Sequence, residues 1–152
     1  MRKLTFTVEE AESFSNEGRL EEWIHLFLNS AGNNSGLSEG LKLEKRYFIG
    51  PVLLCLDQLY RCCGPEPEME YYNSLESWEV HINKFRRLIR NGWDMPPLIC
   101  HNTDEGLSIR DGNHRHEALK REGIKQCWVI IWDEDEERLQ RLINKVTNTL
   151  AL

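Results

Sequence analysis

The run Leu107-Ser-Ile-Arg-Asp-Gly-Asn-His-Arg-His-Glu-Ala-Leu119 constrains this chain more than any other stretch, because it carries a strand directly into a helix across Asp111-Gly112-Asn113. Gly112 permits a backbone conformation or a close approach that a side chain would block. The amides that open the helix then point outward at the positive end of its dipole and form a ready anion site. Arg115 is placed to add a forked, charge-assisted contact to a phosphate, with Asn113 or His114 completing the cradle. Asp111 reads as a helix cap, as a residue that orients His114, or as a carboxylate that holds Mg²⁺ through water.

The rest of the chain builds outward from that turn. Upstream, Leu98 to His101 and Leu107 to Arg110 read as two strands of a hairpin joined at Asn102-Thr103-Asp104-Glu105-Gly106. Downstream, the helix from Asn113 closes on Gly123, Cys127 to Trp132 has the β-branched residues of a buried strand, and Asp133 is placed to cap a last helix. The acidic run Asp133 to Glu137 reads as the solvated first turn of that helix. Before the hairpin, Asn73 followed by Glu76 has the spacing of a capping box that opens a helix to Asn91, with Trp78, Ile82, Phe85 and Ile89 as its apolar stripe. Arg46 to Leu56 reads as extended, with Gly50-Pro51 as a break or an edge position.

The first 45 residues read as a helical arm. Thr7 caps a helix from Val8 to about Asn16, and a second runs from Arg19 to about Ser30 with Leu20, Trp23, Ile24, Phe27 and Leu28 on one face. Ala31 to Gly40, rich in Asn, Ser and Gly, reads as an exposed loop. The expectation is one domain, 1–152, of class α+β: a small mixed sheet flanked by helices over about 46–152, preceded by the arm at 1–45. The arm's apolar face must meet either the remainder of the chain or a second subunit or protein partner.

A net charge of −6 disfavours DNA, since nucleic acid needs a local basic patch to overcome the overall repulsion. No segment is long and apolar enough for a membrane span, and no leader pattern is present, so cytoplasm is the expected location. Five cysteines without Cys-x-x-Cys spacing argue against a disulfide framework, and His25, His81 and His101 lack ligand spacing, so no metal site is expected. The adjacent Cys62 and Cys63 read either as two semi-buried small hydrophobes or as a metal or redox pair.

Pro97-Leu-Ile99 followed by Ile109-Arg-Asp-Gly-Asn-His-Arg-His-Glu-Ala-Leu-Lys-Arg-Glu-Gly123 resembles the ParB and sulfiredoxin superfamily over roughly residues 74 to 132. The resemblance implies a ParB/sulfiredoxin-like fold with the turn as a nucleotide site. Sulfiredoxins carry a cysteine where Asn113 stands, so sulfinic-acid reduction is not expected. Partitioning proteins of the superfamily bind CTP and carry a helix-turn-helix reader downstream, which does not follow here before Leu152. The free serine kinases resemble the chain most usefully: their Asp-Gly-x-His-Arg turn holds nucleotide phosphates while an upstream glutamate acts as base. That implies Gly112, Asn113, His114 and Arg115 as nucleotide-binding residues for ATP, ADP or CTP with Mg²⁺, and Glu76 and Asp111 as catalytic residues, Glu79 being close behind Glu76. The activity implied is phosphoryl transfer to a small hydroxylated metabolite. The alternatives are a noncatalytic nucleotide-dependent adaptor and a ParB-like DNA-binding or nuclease protein.

Overall fold

Leu98 begins the hairpin at the centre of the molecule, and the strands recruited around it make the sheet. In the computed structural model, which describes residues 3–150, β5 (Leu98–Thr103) and β6 (Gly106–Asp111) pair antiparallel, with His101 opposite Ser108. β7 (Gln126–Asp133) lies parallel to β5 on its other side, and β1 (Tyr47–Cys55) lies antiparallel to β7 at the edge. β2 (Leu59–Arg61) adds parallel to β6, giving the order β1-β7-β5-β6-β2. Pro51, which has no amide to donate, sits in edge strand β1 beside a register shift between Ile49 and Val52. A second, two-stranded sheet joins β3 (Cys63–Gly64) to β4 (Tyr71–Tyr72). The class is therefore α+β with a mixed sheet, as expected.

Alternation along the strands divides the core in two. Leu98, Cys100, Val129 and Ile131 face one side, where Leu119 of α5 (Asn113–Arg121) and Leu139 of α6 (Glu136–Leu150) pack on them. Ile99, Ile130 and Trp132 face the other, against Phe14 of α1 (Val8–Asn16) and Trp23, Ile24, Phe27 and Leu28 of α2 (Leu20–Leu28). The apolar stripe of the arm is thus buried on this chain's own sheet. α4 (Leu75–Arg90) packs on α5 through Trp78, Ile82 and Ala118. Residues 1–2 of the expected arm and 151–152 of the expected core lie outside the described residues. Within them, no helix is long and apolar enough to cross a membrane.

Three local expectations are corrected. Residues 31–40 are not a plain loop: α3 (Ser35–Leu41) forms there, with Asn34 accepting from the Leu37 amide and Ser38 and Leu41 buried. Asn73 is not the cap of α4; its backbone amide continues the β3–β4 pairing by donating to Gly64 O, so Ser74 takes the cap and accepts from Ser77 N. Asp133 is neither solvated nor the side-chain cap of α6. Its carboxylate is fully buried on Arg138 and Asn102, and Asp135 accepts from the Arg138 amide instead.

Candidate functional site

Gly112 has φ 105° and ψ 19°, and a Cβ there would come 2.3 Å from Leu98 Cδ2 and 3.0 Å from Arg115 Nη2. Both the left-handed backbone and the close approach therefore require glycine. No side chain caps α5, and its opening backbone bond runs from His116 N to Gly112 O at 2.9 Å. The amides of Asn113, His114 and Arg115 are left without an intrahelical acceptor, as the first amides of any helix are.

The side chains around the turn are placed differently from the sequence expectation. Arg115 is 5% exposed; its guanidinium donates to Pro96 O at 2.5 Å and to Asp111 Oδ2 at 3.1 Å. Burial pulls its pKa down even beside Asp111. The guanidinium braces the turn from beneath and does not reach out as a free fork. Asn113 is also internal: Oδ1 accepts from Cys62 N at 2.9 Å and Nδ2 donates to Ile109 O at 3.1 Å, tying the residue between β2 and β3 to β6. Its side chain thus locks the turn, and its backbone amide is what it can offer a ligand. Asp111 does not cap α5. Its Oδ1 accepts from Asn34 Nδ2 at 2.9 Å, a bond across 77 residues that pins the arm to the turn.

His114 lies with its ring centroid 4.6 Å from Trp78 and 5.0 Å from His81, and its Nε2 is buried without a hydrogen-bond partner. Burial first, then the nearby His81 and Arg61, lower its pKa to about 4, so at neutral pH it is an uncharged imidazole. Glu76 is exposed in the first turn of α4 and lines neither of the two clefts at the turn. Glu79 is held by Arg121 through two bonds of 2.6 and 2.7 Å. Neither glutamate is brought to the turn, because α4 buries Trp78 and Ile82 and turns its acidic positions outward or toward α5.

Two clefts meet at Asp111, Gly112 and His114. The smaller, about 300 Å³, is lined from the arm by Thr5, Phe6, Phe27 and Gly32, by Phe85 of α4 and by Trp93 just past the end of that helix. The larger, about 550 Å³, is lined by Asn34, Cys62, Cys63, Tyr71, Arg110 and Asn113. Arg110 is anchored to Glu70 at 3.0 and 3.2 Å. The Cys62 thiol donates to Ile109 O, and burial raises the pKa of both Cys62 and Cys63, so these are protonated thiols in a packed junction. Sequence reasoning missed Phe6, Asn34, Phe85 and Trp93; the apolar stripe of α4 was the only available signal for Phe85.

No family model matches the chain, and no curated protein matches it. Solved structures similar to it include a conserved hypothetical protein from Pyrococcus furiosus, 20% identical over 58% of this chain and 34% of that one, with a TM-score of 0.44. A Pnob8-like ParB N-domain is 15% identical over 63% of this chain and 33% of that one, with a TM-score of 0.38. Sulfiredoxin from Arabidopsis thaliana is 18% identical over 60% of this chain and 96% of that one, with a TM-score of 0.39. The chain thus spans about a third of the length of the first two. At these identities and scores the likeness concerns the fold and says nothing of a ligand.

Proposed function

We propose that the chain binds a nucleotide, with its phosphates on the free amides of Asn113, His114 and Arg115. The observation that carries this reading is the uncapped start of α5, which opens from a glycine-only turn onto the floor shared by two clefts. Asn113, Arg115 and Asp111 support the cradle by holding its shape, and His114 lines both clefts as a neutral ring. The resemblance of the 109–123 run to the phosphate turn of ParB-like proteins and free serine kinases agrees with this assignment.

Between the catalytic and noncatalytic versions, the geometry favours a nucleotide-dependent adaptor. Phosphoryl transfer needs a base within reach of the acceptor hydroxyl, and Glu76 and Glu79 are both directed elsewhere. Both oxygens of Asp111 already accept hydrogen bonds, and no group of three metal-ligating side chains converges among the described residues. Mg²⁺ therefore enters the proposal only as a counter-ion of the nucleotide. The Asn34–Asp111 bond supplies what an adaptor needs, a contact between the turn and a separate element that a ligand can alter.

Calorimetric titration with ADP, ATP and CTP tests the reading. His114→Glu puts a carboxylate where a helix N-terminus tolerates one but a phosphate does not. It is expected to weaken binding at least tenfold while His114→Gln retains it. Equal affinity in the two variants would contradict the cradle, and nucleotide turnover by the wild type with a small-molecule acceptor would restore the kinase reading.

A further inference from the structure

Phe6 has φ 53°, a left-handed conformation that a bulky side chain holds only under constraint. The constraint is Glu10. Its carboxylate, 4% exposed, accepts from Thr5 N at 2.8 Å, Thr5 Oγ1 at 3.2 Å, Phe6 N at 3.0 Å and Trp23 Nε1 at 2.9 Å. Residues 5 and 6 are clamped to α1 and α2 by four donors on one buried group, and both line the smaller cleft. Phe27 stands beside Phe6 with ring centroids 5.7 Å apart. Phe85 of α4 and Trp93, just past the end of that helix, are stacked at 5.5 Å and 10° and line the same cleft.

A phosphate turn alone accepts any phosphorylated molecule; aromatic walls are what add preference for a flat ring. We propose that the smaller cleft is the ring-binding half of the site. It takes the nucleobase of a nucleotide between the Phe6–Phe27 and Phe85–Trp93 pairs, with Phe6 as the specificity-determining residue and Glu10 as its positioning residue. The inference rests on the phosphate reading of the turn. It assigns the arm a role in recognition beyond its packing, since Phe6 both rests on Trp23 and Phe27 in the arm's core and lines the cleft beside the turn.

The test compares ADP with inorganic pyrophosphate, which has the phosphates and no ring, on the full chain. Wild type is expected to bind ADP at least tenfold more tightly than pyrophosphate. Phe6→Ala is expected to lose about tenfold in ADP affinity with pyrophosphate unchanged, and Phe6→Tyr to retain both. Phe6→Leu keeps apolar bulk in the arm and guards against a folding defect; it is expected to lose ADP affinity as Phe6→Ala does. Glu10→Gln is expected to reproduce the ADP-selective loss without contacting ligand. Wild type binding the two ligands equally, or Phe6→Ala and Phe6→Leu both keeping full ADP affinity, overturns the ring cleft and leaves the phosphate turn standing. Binding of neither ligand overturns both.

Discussion

Arg115 and Asp111 form an ion pair with side-chain exposures of 6% and 11%, and Arg115 also supports Pro96 O. Removing the guanidinium leaves a carboxylate with little water and one fewer donor, so Arg115→Met is expected to destabilise the fold by roughly 3 kcal/mol. An unchanged urea midpoint would contradict that account. His114 gives a pH signature whose sign follows from its lowered pKa. The unfolded chain takes up a proton near 6.5 that the folded ring resists until about 4. Stability is therefore full above pH 6.5 and falls as the pH drops toward 4. His114→Gln is expected to flatten this slope in urea denaturation between those pH values, and an identical slope in the variant would show that the ring titrates normally. The residues of the turn were legible in sequence because Gly112 imposes a local constraint. Their roles were not, because whether a guanidinium faces a ligand or Pro96 is decided by packing from a distant segment.

Elements with their signals inside a few residues were legible. Thr7 accepts from Glu10 N and Gly18 ends the first arm helix with a positive φ, and α1 has the expected bounds. α3 escaped because its only apolar anchors, Leu37 and Leu41, sit among residues that favour turns, and its cap residue Asn34 is confirmed only by the fold around it. The start of α6 was misassigned for a related reason: Asp133 and Asp135 are equivalent by composition, and only the sheet shows that Asp133 ends a buried strand. Burial opposes ionisation of Asp133, yet Arg138, the Asp135 amide and Asn102 outweigh it and hold its pKa at about 2. That contribution to stability is present above the ordinary value of 3.8 and is lost as pH falls toward 2. Asp133→Asn is expected to cost about 2 kcal/mol at neutral pH, the range for a charge-assisted hydrogen bond, and to remove part of the acid transition between pH 4 and 2. A variant with wild-type acid unfolding would refute the role of this network.

At the scale of the molecule, the arm covers one sheet face and α5 and α6 cover the other, so the apolar surface of α2 and that of Ile99, Ile130 and Trp132 are buried by each other. Trp23→Ala is expected to lower stability by roughly 3 kcal/mol and to leave one unfolding transition, since the cavity opens in a core shared by arm and sheet. Two separate transitions would mean that the arm folds independently. The same packing brings Thr5, Phe6 and Asn34 to a turn more than 75 residues away in sequence, which is why periodicity alone could find the arm's helices but not their part in the site. The central claim is that the start of α5 holds phosphate, and backbone amide spectra report on it directly. On addition of ADP to ¹⁵N-labelled protein, the amide resonances of Asn113, His114 and Arg115 are expected to shift most and to gain protection from exchange. Saturable ADP binding that leaves these three amides unmoved would contradict the account.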